Sequence, residues 1–261
     1  MHEVDYLLVG HVAEDLQPDG SYRPGGTVTF AAQAASALGL RVGVITSAGP
    51  RADLSLLRAR AVVDVLPAAH STVFENRYSA TGRTQVLHSR ASVLTPSAAA
   101  GWVEPKVLHL APIADEVSAG WGAVWPNGFV GLTPQGWLRA WDAAGRVFPK
   151  AWAGADYWLA RANAVVLSEE DVAYDWALLH RWAQQTQVLA VTRGAQGARV
   201  FVAGVPFDVP APVVEEVDPT GAGDVFAAVF FSQLQAHGDV RGATEAAVAR
   251  ASASVTVVGV G

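Results

Sequence analysis

Ala164 to Thr192 reads AVVLSEEDVAYDWALLHRWAQQTQVLAVT, and the fold is decided by the change of pattern within it. Ala164 to Leu167 is a short apolar run of strand character, Glu169 to Gln184 has helical spacing, and Val188 to Thr192 is again strand-like. The same alternation opens the chain. Asp5 to Gly10 (DYLLVG) reads as a buried strand, and Gly26 to Gly39 (GTVTFAAQAASALG) as an Ala-rich helix stopped by a glycine. RVGVITS from Arg41 follows as a strand, and Ala222 to His237 is a further helix. Such alternation predicts an α/β sandwich whose central, mostly parallel sheet is covered by helices on both faces.

One stretch departs from this rhythm. Ser71 to Tyr78 and Arg83 to Ser89 are β-rich runs joined by Ser79-Ala80-Thr81-Gly82, which predicts a hairpin with a four-residue loop. Strand side chains alternate, so Phe74, Asn76 and Tyr78 share one face. A polar residue between two aromatics suits a small β lid over a hydroxylated ligand, with lid elements expected near residues 17–24 and 71–90; an ordinary surface hairpin is the plainer reading. Pro- and Gly-containing loops are spread along the whole chain, so residues 1–261 are expected to form a single domain.

Composition narrows the function. With 261 residues, 51% of them hydrophobic, the chain can bury a full core. Polar residues or Gly/Pro interrupt every apolar run before the roughly 18 residues a spanning helix needs, and the acidic start Met1-His2-Glu3-Val4-Asp5 lacks the character of a signal peptide. A cytoplasmic location is expected. The absence of cysteine excludes disulfides, thiolate zinc sites and a Cys nucleophile. A net charge of -6, with Lys106 and Lys150 the only lysines, gives no basic stripe for nucleic acid.

The sharpest motif is Asp218-Pro219-Thr220-Gly221-Ala222-Gly223-Asp224, followed by the apolar run Val225 to Phe231. Glycines let several N–H groups converge where a helix begins, and helix N-termini carry unsatisfied donors and about half a positive charge. Asp224 in the first turn can accept a hydroxyl proton beside that anion site. Phosphoryl transfer asks for these two parts, a cradle for developing charge and a positioned base. Taken alone, the motif also fits a glycine turn with a capping Asp. No G-x-x-x-x-G-K-[ST] is present, and Gly221-Ala222-Gly223 lacks the third glycine of a dinucleotide fingerprint.

This motif resembles the C-terminal signature of the ribokinase-like, or PfkB, carbohydrate kinases. Gly10, followed five residues later by Asp15, and the pair Gly25-Gly26 resemble the family's N-terminal signature. The resemblance implies an ATP-dependent sugar or polyol kinase with a ribokinase-like sandwich and lid. Asp15, Gly25, Gly26 and Asn76 would then face the acceptor, while Asp224 serves as base and Gly221, Ala222 and Gly223 hold the transferring phosphoryl. Val191-Thr192-Arg193-Gly194-Ala195-Gln196-Gly197 is similar to the family's nucleotide-side strand and turn, which implies that Thr192, Gly194, Gly197 and Thr220 meet ATP. Mg²⁺ is implied with the donor. Asp218 resembles a position beside a monovalent cation in some members, and the chain's last residues fall where the adenine pocket usually closes.

The departures from the family pattern are informative. Phe30 stands where ribokinases proper carry an Asn, which argues against ribose. Ser168-Glu169-Glu170-Asp171 replaces the usual Asn-x-x-Glu, so Glu170 and Asp171 are the candidates for ordering Mg²⁺; the segment equally suits a helix N-cap. FENRYSATGRTQVLHSRA (Phe74 to Ala91) and GLTPQGWLRAWD (Gly131 to Asp142) resemble an inositol-kinase-like branch. That segment adds Gln135 and Arg139 as candidate substrate residues, Arg139 being equally readable as a surface helix residue. The acceptor expected is a sugar or cyclitol, myo-inositol-like. A nucleoside kinase using Phe30 and Phe74 to stack on a base, or a non-catalytic sugar- and nucleotide-binding sensor, are the alternatives. A monomer or homodimer is expected.

Overall fold

The computed structural model describes residues 1–79 and 82–257. Along the chain run β1 (Tyr6–Val9), β2 (Ala13–Leu16), β3 (Tyr22–Gly25), α1 (Thr27–Ala37), β4 (Val42–Ala48), α2 (Ser55–Arg58) and β5 (Ala61–Pro67). There follow β6 (Thr72–Ser79), β7 (Gly82–Ser89), β8 (Val107–Leu110), β9 (Phe129–Leu132), β10 (Arg139–Trp141), β11 (Val147–Pro149), α3 (Ala155–Arg161) and β12 (Ala164–Ser168). The last third holds α4 (Trp176–Ala183), β13 (Val188–Thr192), β14 (Ala198–Val202), β15 (Val205–Val209), α5 (Ala222–His237) and α6 (Val240–Ser254).

Nine strands form the central sheet in the order β15-β14-β13-β12-β9-β8-β1-β4-β5. From β13 to β5 all neighbours are parallel; β14 runs against its two neighbours, β13 and β15, so β15 again has the direction of the parallel strands. Period-two alternation feeds both faces. In β1, Tyr6 and Leu8 join the core with α1, α5 and α6, while Leu7 and Val9 join the opposite core with Trp158 of α3 and Trp182 of α4. The sheet is therefore buried on both sides, as a parallel sheet requires. The tryptophans are packing residues: Trp137 stacks on Trp152 at 5.7 Å and on Trp158 at 4.5 Å.

A second sheet, β3-β2-β6-β7, forms the lid. It is mixed, because β6 pairs antiparallel with β7 but parallel with β2. The β6–β7 pairing extends to Ser79 opposite Gly82, so the four-residue loop expected from sequence is shorter; residues 80–81 lie outside the described residues. On the inner face Phe74 and Leu87 share a small core with Ala13, Ile113 and Ala114, which ties the lid to the body. This is not an ordinary surface hairpin.

The expectation of one helix from Glu169 to Gln184 is corrected. A single 3₁₀ turn covers Glu169–Val172, Ala173 and Tyr174 take left-handed φ values of 50° and 62°, and α4 starts afresh with the Asp175 carboxylate accepting from the Leu178 N–H at 2.9 Å. Two successive caps compete here with helical spacing, and the caps win. No helix among the described residues is long and apolar enough to cross a membrane.

Candidate active site

The parallel strands end on one edge, and the segments leaving β1, β8, β9, β12 and β13 converge there with the start of α5. This is the edge at which open α/β sheets present their ligands.

Helix α5 begins at Gly221, whose φ of 79° is left-handed. A Cβ at that position would lie 2.3 Å from the ring of Phe30, so both backbone and space demand glycine. No side chain caps this helix. The Val225 N–H bonds the Gly221 carbonyl at 2.9 Å, whereas the N–H groups of Gly223 and Asp224 have no partner among the described residues. Gly223 is exposed and nothing lies within 4 Å of its Cβ position, so the first turn borders open space. An uncapped sixteen-residue helix facing open space suits an anion.

Asp224 sits in that first turn. Burial pushes its carboxyl up to about 6; a hydrogen bond from the Thr27 hydroxyl opposes the shift, nearby Asp171 adds to it, and Arg139 opposes it. A carboxylate poised near neutrality, yet held by a hydroxyl, has the properties of a general base.

Thr27 connects this base to the lid. It opens α1 directly after Gly25-Gly26, and Gly25 closes strand β3. The Asp15 carboxylate of β2 lies over Gly25, so a Cβ there would come within 2.3 Å of Asp15 Oδ2. Asp15 and Asp224 thus meet the two ends of one short segment, Gly25-Gly26-Thr27. Asn76 on β6 accepts from Gln85 Nε2 at 3.1 Å.

Gln135 and Arg139 come to the same place from β9. Gln135 donates to Asp171 Oδ1 at 3.2 Å, and Asp171 Oδ2 accepts from the Ser168 N–H at 2.9 Å, closing a capping box. Arg139 is near enough to Asp224 to act on its charge. It begins strand β10, which corrects its reading as a surface helix residue: Pro134–Leu138 is a short 3₁₀ turn, too short to continue as a helix. Asp171 is therefore drawn into the cluster, while Glu170 stays exposed, its N–H held by Ser168 Oγ at 3.2 Å and its carbonyl by the Ala173 N–H at 3.0 Å. Groups of three or more His, Asp or Glu spaced to hold a metal by themselves are absent among the described residues.

Thr192 ends β13 with its hydroxyl toward the Leu167 carbonyl at 3.4 Å, and Gly194 is exposed in the following turn. Gly197 is buried instead, its Cβ position 2.1 Å from the Val209 carbonyl oxygen, which makes it a packing glycine of the β13–β14 turn. Asp218 folds its own loop, accepting from the Thr220 N–H at 3.0 Å. Sequence reasoning missed Thr27. A polar residue directly after Gly-Gly at a helix start was signal enough to make it a candidate, but its partner Asp224 lies 197 positions away and no local pattern reveals that.

Residues 161–261 match the pfkB family carbohydrate kinase description. A fructokinase of Klebsiella pneumoniae is 31% identical over 264 residues, covering 88% of this chain and 84% of the relative. A cytidine kinase of Thermococcus kodakarensis is 24% identical, covering 88% of each. Among solved structures, a pyrophosphate-dependent kinase in the ribokinase family, complexed with a pyrophosphate analog and myo-inositol, superposes with a TM-score of 0.83 at 23% identity over 97% of this chain and 96% of that one. Motif, edge geometry and the breadth of the fructokinase match lead to one assignment: the chain belongs to the pfkB family of carbohydrate kinases, phosphotransferases that act on a hydroxyl group.

Proposed function

We propose that this kinase phosphorylates a small polyol, a cyclitol of the myo-inositol type, with Asp224 as the general base. The observation that carries the reading is the placing of Asp224 in the first turn of an uncapped helix, beside N–H groups without a partner among the described residues and held by the Thr27 hydroxyl. The acceptor hydroxyl gives its proton to Asp224 as its oxygen bonds to the terminal phosphorus of the donor, while the bond from that phosphorus to the donor's bridging oxygen breaks and the rest of the donor leaves, ADP from ATP or phosphate from pyrophosphate. The N–H groups of Gly221 and Gly223 with the helix dipole receive the charge on the phosphoryl oxygens, whereas the Ala222 N–H, expected from the sequence to share in this, already bonds the Pro219 carbonyl at 3.2 Å. Asp15, with Gly25, Gly26 and Asn76, grips the other acceptor hydroxyls, and Gln135 and Arg139 flank the reacting centre.

ATP is the proposed donor, with Thr192, Gly194 and Thr220 on its side. Mg²⁺ would supply charge neutralisation at the donor phosphates, and Asp171 is the carboxylate suited to hold it, since Mg²⁺ commonly takes one or two carboxylates beside substrate phosphates. A monovalent cation beside Asp218 belongs to the same reading. Pyrophosphate is the second donor to consider, because the pyrophosphate-dependent kinase shares the fold so closely; either donor presents a terminal phosphoryl to one helix N-terminus. A nucleoside acceptor loses its stacking support, because Phe30 and Phe74 are 7% and 4% exposed and already packed. The cytoplasm is the proposed location.

The test is a product-release screen with Mg-ATP and Mg-pyrophosphate over ribose, fructose, myo-inositol and cytidine. Myo-inositol is expected to give a higher kcat/KM than ribose; faster turnover of ribose than of every cyclitol tested would overturn the acceptor class. Asp15→Ala should cost at least about tenfold in acceptor affinity, since hydrogen bonds to a charged group contribute roughly 1.5–3 kcal/mol. Donor affinity should barely move. An unchanged acceptor Kd by calorimetry would remove Asp15 from the site.

A further inference from the structure

Behind the cluster lies a carboxylate that phosphoryl transfer does not use. Glu116 is fully buried, in the loop after β8. Its Oε1 accepts from the His11 N–H at 2.9 Å and the Ile113 N–H at 3.0 Å, and its Oε2 accepts from the Ile113 N–H at 3.0 Å and the Ala114 N–H at 2.7 Å. One side chain thus ties together two loops that are 105 positions apart in the chain.

Both loops press directly on candidate site residues. A Cβ at Gly26 would lie 2.7 Å from the His11 carbonyl oxygen and 3.3 Å from Ile113 Cδ1, so the two loops form the floor beneath the Gly25-Gly26-Thr27 segment. On the other side the Gly136 N–H bonds the Pro112 carbonyl at 2.8 Å, and a Cβ at Gly136 would lie 2.5 Å from the Ile113 nitrogen. Gly136 is the neighbour of Gln135. His11 is itself fixed at both ring nitrogens, to Thr72 Oγ1 and to the Ser92 carbonyl, each at 2.7 Å, so the floor is also joined to the lid strand β6.

We propose that Glu116 is a positioning residue for the acceptor. It sets the spacing between the Asp15–Gly25–Gly26 side and the Gln135–Arg139 side of the pocket, and through that spacing it sets which polyol is held in line with the donor. The hydrogen bonds of Glu116 reach His11, Ile113 and Ala114, on the acceptor side, and none goes to α5 or β13, on which the donor side is built. This inference rests on the acceptor reading above. A buried carboxylate with two oxygens and four backbone bonds has no equivalent among neutral side chains: Gln keeps one accepting oxygen and turns an NH₂ toward N–H donors.

Glu116→Gln and Glu116→Asp are to be compared with Asp15→Ala, using whichever of myo-inositol, fructose and cytidine the wild type turns over fastest. Both Glu116 variants are expected to raise acceptor KM at least tenfold and to change the ranking of the three acceptors. Donor Kd, measured without acceptor, should stay within twofold. A merely structural role would lower the folded fraction and the Tm while leaving KM and the ranking of the remaining active protein unchanged, and that result would overturn the proposal. An acceptor KM unmoved by Glu116→Gln but raised by Asp15→Ala would sink this inference alone. An acceptor KM unmoved by Asp15→Ala, or no turnover of any of the three, would sink the acceptor reading and the inference with it.

Discussion

Asp224→Asn is expected to lower kcat at least a hundredfold while ATP or pyrophosphate still binds within a few-fold of wild type. A positioned base contributes about 10²–10⁴ in rate, and Asn keeps the size of the side chain while losing proton acceptance. Donor binding should survive because backbone N–H groups, not this carboxylate, receive the phosphates. The raised pKa adds two independent readouts. The base must be deprotonated, so kcat/KM should fall about tenfold per pH unit below about 6 and stay flat above 7. For stability the sign is opposite to that of a salt-bridged Asp. The folded state holds its proton up to about 6 and the unfolded state only to 3.8, so stability is lost as pH rises through that window. Above pH 6 the ionised carboxylate costs at most about 3 kcal/mol, and Asp224→Asn should therefore raise the Tm at pH 7.5. An Asn variant that keeps more than a tenth of wild-type kcat with intact circular dichroism would show that Asp224 is not the base. One that is inactive but less stable would point to misfolding.

Elements that announce themselves locally were legible in the sequence. The α5 boundaries, Ala222 to His237, follow from a glycine turn before an apolar run and Gly238 after it, and the β12–α4–β13 unit follows from periodicity. What escaped depends on partners distant in the chain. The lid strand β2 pairs with β6 across more than fifty residues, and its parallel register is set by the shared core of Ala13, Phe74 and Leu87, which no local pattern specifies. Phe30 illustrates the same limit within the site. Its identity as a departure from ribokinases was readable, but its role was not: it is packed beneath Gly221, so a residue considered for stacking on a ligand instead supports the turn that holds the anion site. Asp171 was ambiguous between a helix cap and a metal residue because a carboxylate has two oxygens. Oδ2 closes the cap while Oδ1 meets Gln135, so the capping bond orients the carboxylate toward the cluster.

Gly221→Val and Gly223→Val, two residues apart, are expected to fail in different ways. Both glycines read, in the sequence, as letting N–H groups converge, and the backbone gives them different parts: Gly221 takes a left-handed φ of 79° and Gly223 does not. A β-branched residue at Gly221 takes on left-handed strain of about 1–2 kcal/mol and drives its Cβ into the Phe30 ring, an overpacking cost of about 1–3 kcal/mol. The sum, about 2–5 kcal/mol, is a large share of the roughly 5–15 kcal/mol that hold a domain folded. At about 2–4 °C per kcal/mol for a chain of this size, the Tm should fall by about 4–20 °C, and donor binding should fail with it. Gly223 has no such neighbour, and its backbone is already helical. Val there should leave the Tm within about 2 °C, because Gly is a poorer helix former than Val by a few tenths of a kcal/mol. Its branched side chain enters the space in front of the free N–H groups, so the Kd for Mg-ATP or Mg-pyrophosphate should rise at least tenfold in a protein as stable as wild type. Calorimetry on both variants separates the two demands. If Gly223→Val binds both donors as tightly as the wild type does, the open end of α5 is not where the phosphoryl group rests, and the anion must be held elsewhere on the strand edge.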